Sequence, residues 1–207
     1  MFQRLPFLIA CGITLLFGVL NMRQISSPQP LQSVTFSNFL ISTIVSIVLL
    51  ALPLIVQLMT DVTIYKRQVE KRFKIVPLIG RLLLYFGGLL LGLYGIMGIL
   101  LPEQVQPALT QMEALNGSAF IVMALLLCGA IPVVEEFLFR GIIQTSLPRF
   151  GIPVSAALFA FAHGSFALFL PLFFFGFLLG SIAQRERSLV PGILLHGGFN
   201  LLNLLMT

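Results

Sequence analysis

Residues 117–146 run for 30 positions with only three charged side chains, Glu135, Glu136 and Arg140, in a stretch that otherwise reads as a membrane-spanning helix. A charged group inside a bilayer costs from about 2.5 kcal/mol upward, so a helix that keeps two carboxylates and a guanidinium must pair them, hydrate them or use them. The only two histidines of the chain, His163 and His196, also fall in apolar stretches. Whether these five residues meet decides what the protein can do.

The rest of the sequence fixes the solvent. Of 207 residues 58% are hydrophobic and 9% charged, and the mean hydropathy is +1.05. No soluble domain of this size hides so much apolar surface, so the expected class is an all-α, multi-pass membrane helix bundle. A pI near 9.8 would suggest nucleic acid in a soluble chain, but here the basic residues flank apolar stretches and read as topology. We therefore expect the lipid bilayer as a partner and no nucleic acid. Cys11 and Cys128 lie in apolar runs without a CxxC or a disulfide framework. The apolar run around Cys11 continues to Leu20, which makes it a retained span rather than a signal peptide.

Seven apolar stretches stand out, at about 5–19, 39–59, 82–101, 117–146, 153–164, 168–183 and 189–206. They group into an N-terminal three-span region, 1–116, and a four-helix core, 117–207, forming one integrated membrane domain. A basic segment from Tyr65 to Lys74 fits an amphipathic helix on anionic headgroups or a solvated loop equally well. Gly88, Gly92 and Gly95 make a packing stripe in the third span. With the amino terminus inside, Arg23 alone of the 12 Lys and Arg falls outside, leaving 12 − 1 = 11 inside. That bias predicts a cytosolic amino terminus and an outside carboxyl terminus; the membrane expected is the cell (inner) membrane.

Depth can be read from the hairpin around Arg149. Glu135 lies 14 residues before that turn and His163 14 after it, so each is about 21 Å from it at 1.5 Å per residue. His196 and Asn200, one helical turn apart, lie about 12 and 18 Å past the next inside loop. Three helices thus bring Glu, His, His and Asn to one level near the inner side. Glu136 and Arg140 are i, i+4 with the acid first, the favourable order for a structural pair. Glu135 points about 100° away and is left free for chemistry. The bland alternative is that intramembrane His and Asn are hydrogen-bond partners between helices and the Glu–Arg pair a simple clamp. We assign that role to Glu136, Arg140 and Asn203. For Glu135, His163, His196 and Asn200 the shared depth favours function.

Taken in order, Glu135-Glu136-x-x-x-Arg140, Phe159-x-x-x-His163 and His196-x-x-x-Asn200 resemble the three motifs of the CPBP family, the CAAX-processing and bacteriocin-processing (Abi) intramembrane proteases. The resemblance covers about residues 117–205, and no motif residue departs from the pattern. It implies an intramembrane endopeptidase acting on a membrane-associated or lipidated protein or peptide. Glu135 and His163 would activate a water, His196 and Asn200 would stabilise the oxyanion, and Glu136, Arg140 and Phe159 would support them. It implies no cofactor. The alternative, from the family's older metalloprotease label, is zinc on Glu135, His163 and His196, although HExxH is absent. A GxSG serine motif is also missing, and Asp61, the only Asp, cannot form an aspartyl dyad. Two other function classes stay open at this level. One is a non-proteolytic scaffold or bacteriocin-immunity-type partner. The other is a proton-coupled transporter, which the absence of paired, interrupted spans disfavours.

Overall fold

The computed structural model describes residues 5–26, 36–60, 80 and 117–205. The third expected span, the basic 65–74 segment and the Gly88–Gly92–Gly95 stripe lie outside the described residues. Among these, the elements are all helical. We label them α1 (Leu5–Ser26), α2 (Phe36–Thr60), α3 (Gly117 to Gln144), α4 (Gly151–Ala162), α5 (Phe166–Glu186) and α6 (Val190–Leu205).

Four of the six, α1, α2, α3 and α5, are long and apolar enough to cross a bilayer. Helices α4, with 12 residues, and α6, with 16, rise only about 18 and 24 Å, short of a hydrocarbon core of about 30 Å. Their ends fall within two residues of the expected stretches, 153–164 and 189–206, so their shortness is already in the sequence. The cause is local chemistry: α4 ends at Ala162 because Gly164 takes a left-handed φ of +71°. Ser165 then starts α5 by accepting the Leu168 N–H. Pro153 and Pro191 sit in the first turns of α4 and α6, where a missing N–H costs nothing. Helix α1 also exceeds its expected end at Val19, running through Asn21 to Ser26.

Helix α3 is not a regular α-helix. It widens to π geometry at Leu126–Ala130 and again at Phe137–Gln144, flanking the Glu135–Glu136 pair. Pro132 accounts for the first widening: it has no N–H to give and its ring crowds the carbonyls of the preceding turn. Nothing in the apolar periodicity announced either one.

The core forms where α4 lies between α3 and α5. Ala156 and Ala160 are fully buried, and Gly176 sets α5 so close that a methyl group there would stand 3.2 Å from the Ala156 Cα. Small residues permit this approach, and dispersion between backbones holds it in a medium where helix association gains little from hydrophobicity. Phe139, Phe159, Phe175 and Leu179 fill the space between the three helices. Helix α1 packs along α4, with Gly18 against Phe161. The α3–α4 and α5–α6 turns share one end of the bundle, where Arg149 and Arg187 line a common cleft.

Candidate active site

Glu136 and Arg140 are fully buried and 3.1 Å apart, the i, i+4 pair expected from spacing. A second Arg140 nitrogen, Nη2, donates to the Gly176 carbonyl at 3.0 Å, and the guanidinium lies 4.7 Å over the Phe159 ring. An ion pair in so apolar a place persists only with such supporting contacts, because desolvation otherwise exceeds the Coulomb gain. Gly192 is what lets α6 reach this pair: a Cβ there would sit 3.0 Å from Glu136 Oε2.

His196 joins the same cluster. Its Nδ1 is 3.1 Å from Glu136 Oε1 and its Nε2 3.6 Å from Glu135 Oε2. The ring therefore stands between the two carboxylates, so Glu135 is not the partnerless acid that spacing alone suggested. Glu136 Oε1 takes the His196 Nδ1 contact and pairs by charge with the Arg140 guanidinium, which makes it the joint between α3 and α6 as well as the partner of Arg140. An N–H must point at that carboxylate, so Nδ1 carries a proton and Nε2 faces Glu135.

Glu135 keeps 13% of its side chain exposed, whereas Glu136 keeps none. That exposure opens into a cavity of about 220 Å³ lined by Glu135 and His163 together with Phe17, Asn21, Ser46, Leu50 and Phe139. Water occupies about 30 Å³ in the liquid, so the cavity has room for several molecules, and Glu135, His163, Asn21 and Ser46 offer them polar partners among apolar walls. Among the described residues, Glu135 and His163 thus share one cavity, as equal distance from the Arg149 turn required. His163 lies at the C-cap of α4, about 18 Å along the helix from Gly151. Its Nδ1 is 2.8 Å from the Phe159 carbonyl, which accepts, so the proton sits on Nδ1 and the Nε2 lone pair is free. Phe159 touches every part of the site: its ring centroid is 4.7 Å from His163, 5.7 Å from His196 and 5.3 Å from Phe139.

Asn200 has a partner that spacing did not reveal. Its Nδ2 donates to the Leu127 carbonyl at 2.8 Å, within the first π turn of α3. Residue 132, five positions on, is the proline, so that carbonyl has no helical i+5 donor and the Asn200 amide supplies one. Next to it a Cβ on Gly197 would fall onto the Cys128 carbonyl oxygen. Gly197→Ala should force α6 away from α3 and lower stability by about 1–3 kcal/mol, read as a lower Tm in detergent. Asn203 donates to Phe199 on its own helix, in keeping with a hydrogen-bonding role.

The residues missed from sequence are those of the first two helices. Asn21, Phe17, Ser46 and Leu50 wall the cavity, but they carry no motif, and Asn21 looks like an interfacial flank beside Arg23. Of the three residues of the zinc alternative, His196 Nε2 stands 3.6 Å from Glu135 Oε2 and His163 shares the Glu135 cavity. Among the described residues no three His, Cys, Asp or Glu side chains converge as a metal-binding group.

Residues 117–202 match the family model described as Rce1-like, type II CAAX prenyl endopeptidase Rce1-like. No curated protein and no solved structure matches the chain. The matched segment holds all seven motif residues, Glu135, Glu136, Arg140, Phe159, His163, His196 and Asn200, and none of the α1 or α2 cavity wall.

Proposed function

Since its segment 117–202 belongs to the Rce1-like family of type II CAAX prenyl endopeptidases, the CPBP (Abi) group, we propose that this membrane protein is an intramembrane endopeptidase of the glutamate type. Its substrate is a membrane-associated or lipidated protein, cut near the lipidated end. The observation that carries the reading is the opening of Glu135 and His163, from two separate helices, onto one small cavity inside an apolar bundle.

The chemistry follows from the proton positions. A water in the cavity lies between the Glu135 carboxylate and the free Nε2 of His163, both acceptors, which orient it and raise its nucleophilicity. Its oxygen adds to the scissile carbonyl while a proton passes to Glu135. That proton then goes to the leaving amine as the C–N bond breaks, so water is split between the two products. The oxyanion formed in between needs donors. Asn200 has a second amide hydrogen beside the one held by Leu127. His196 can donate at Nε2 as well if it enters the cycle carrying a second proton, which it keeps throughout, with Glu136 on the other side of its ring. Glu136 and Arg140 hold the geometry and do not react. We propose no metal in this cycle. The same reading places the amino terminus and the basic turns in the cytosol and the site in reach of that side.

The test uses purified full-length protein in detergent and a farnesylated peptide ending in three residues beyond the modified cysteine. Mass spectrometry should show loss of the terminal tripeptide, and His163→Gln should reduce the rate by about 10²-fold or more. Turnover should persist in a strong chelator. Equal product from wild type and His163→Gln would sink the reading, and loss of turnover on chelation, restored by zinc, would replace the metal-free cycle.

A further inference from the structure

We propose that Asn21 of α1, outside the matched segment, is a positioning residue that sets the orientation and tautomer of His163. The inference rests on the protease reading for its consequence but not for its geometry.

A helix ends with carbonyls that have no intrahelical donor, and a C-terminus inside an apolar bundle cannot leave them to bulk water. At the end of α4 three of these carbonyls are accounted for. Phe159 accepts from the His163 ring at 2.8 Å, Phe161 from the Gly164 N–H at 2.9 Å, and Ala162 from Asn21 Nδ2 at 2.7 Å. The first bond sets the imidazole, and the third is the only one of the three supplied by another helix. Asn21 thus caps α4 from 141 residues away in sequence.

The fit around that bond is close. Gly164, buried and at φ +71°, lies so near α1 that a Cβ would fall onto Asn21 Cβ and stand 2.8 Å from the Met22 nitrogen. One turn earlier, Gly18 leaves room for the Phe161 ring. Helix α1 therefore grips the turn that carries His163 on both sides, and Asn21 itself lines the cavity shared by Glu135 and His163. Without the Asn21 amide, the Ala162 carbonyl must find another donor. The turn that carries His163 then loosens, and once the imidazole leaves the Phe159 carbonyl nothing holds its proton on Nδ1, so it can exchange to Nε2. The lone pair facing the cavity is lost in that exchange.

The chain has only two histidines, so the test is direct. Full-length protein labelled with ¹⁵N-histidine in micelles gives two imidazoles, assigned with His196→Gln. Wild type should show His163 as the Nδ1–H tautomer. Asn21→Leu, which keeps the bulk, and Asn21→Ala, which does not, should both move the His163 signals towards the Nε2–H form and leave His196 in place. Leu16→Ala, on the lipid-facing side of the same helix, should move neither. With a cleaved substrate, kcat should fall by about 10–100-fold while KM stays within about twofold. His163 signals unchanged in the folded Asn21 variants would overturn the proposal. So would equal displacement of both histidines, which marks a general loosening. Should wild type cleave nothing, the tautomer readout still decides for or against Asn21, and the failure belongs to the protease reading alone.

Discussion

Glu135→Gln is expected to lower turnover of a membrane-tethered peptide by about 10²–10⁴-fold while leaving the helices intact. The exchange keeps the size and planar shape of the side chain and removes only the ability to take a proton from water. Glu135 is the member of the acid pair that faces the cavity, with its Oε2 3.6 Å from His196 Nε2. The substitution therefore leaves no buried ion without its counter-charge, since Arg140 is neutralised by Glu136. The measurement is a single-turnover rate set beside the circular dichroism melt. A rate within about threefold of wild type would remove Glu135 from the chemistry, because general-base help is worth far more than that.

Glu136→Ala should do the reverse and unfold the site. It leaves the Arg140 guanidinium buried without its counter-charge, held by the Gly176 carbonyl and the Phe159 and Phe139 rings. It also removes the acceptor of His196 Nδ1. Breaking one side of a buried pair typically costs about 3–5 kcal/mol, a large part of the stability of a small domain. The chain contains no Trp, so helicity by circular dichroism is the suitable readout. The double variant Glu136→Leu/Arg140→Met should recover part of the loss, since neither charge is then stranded. If Glu136→Ala melts with wild type, the pair is not what joins α3 to α6. Together the two adjacent glutamates give opposite outcomes, an inactive folded protein and a destabilised one, from side chains one residue apart.

Part of that contrast is legible in the sequence alone. An i, i+4 Glu–Arg pair in an apolar helix has one obvious use, and the neighbouring acid must point elsewhere because successive residues turn by about 100°. Equal chain distances from the Arg149 turn likewise put Glu135 and His163 at one depth. Spacing falls short where a side chain answers to a distant backbone. His196 is set between both acids by Gly192 and Gly197 on its own helix, and Asn200 is drawn to a carbonyl that Pro132 strips of its helical donor. Such matches involve residues tens of positions apart and leave no periodic trace.

The sequence by itself determined the solvent, the helical class, the pairing of Glu136 with Arg140 and the common depth of Glu135 and His163. These follow from hydropathy and from the fixed rise and turn of a helix, which act over a few neighbours. Only the tertiary structure decided that α1 and α2 complete the cavity, that His196 bridges the two acids, and that Asn21 caps the helix bearing His163. Each of those rests on a buried polar group finding its partner across the bundle, where lipid offers none.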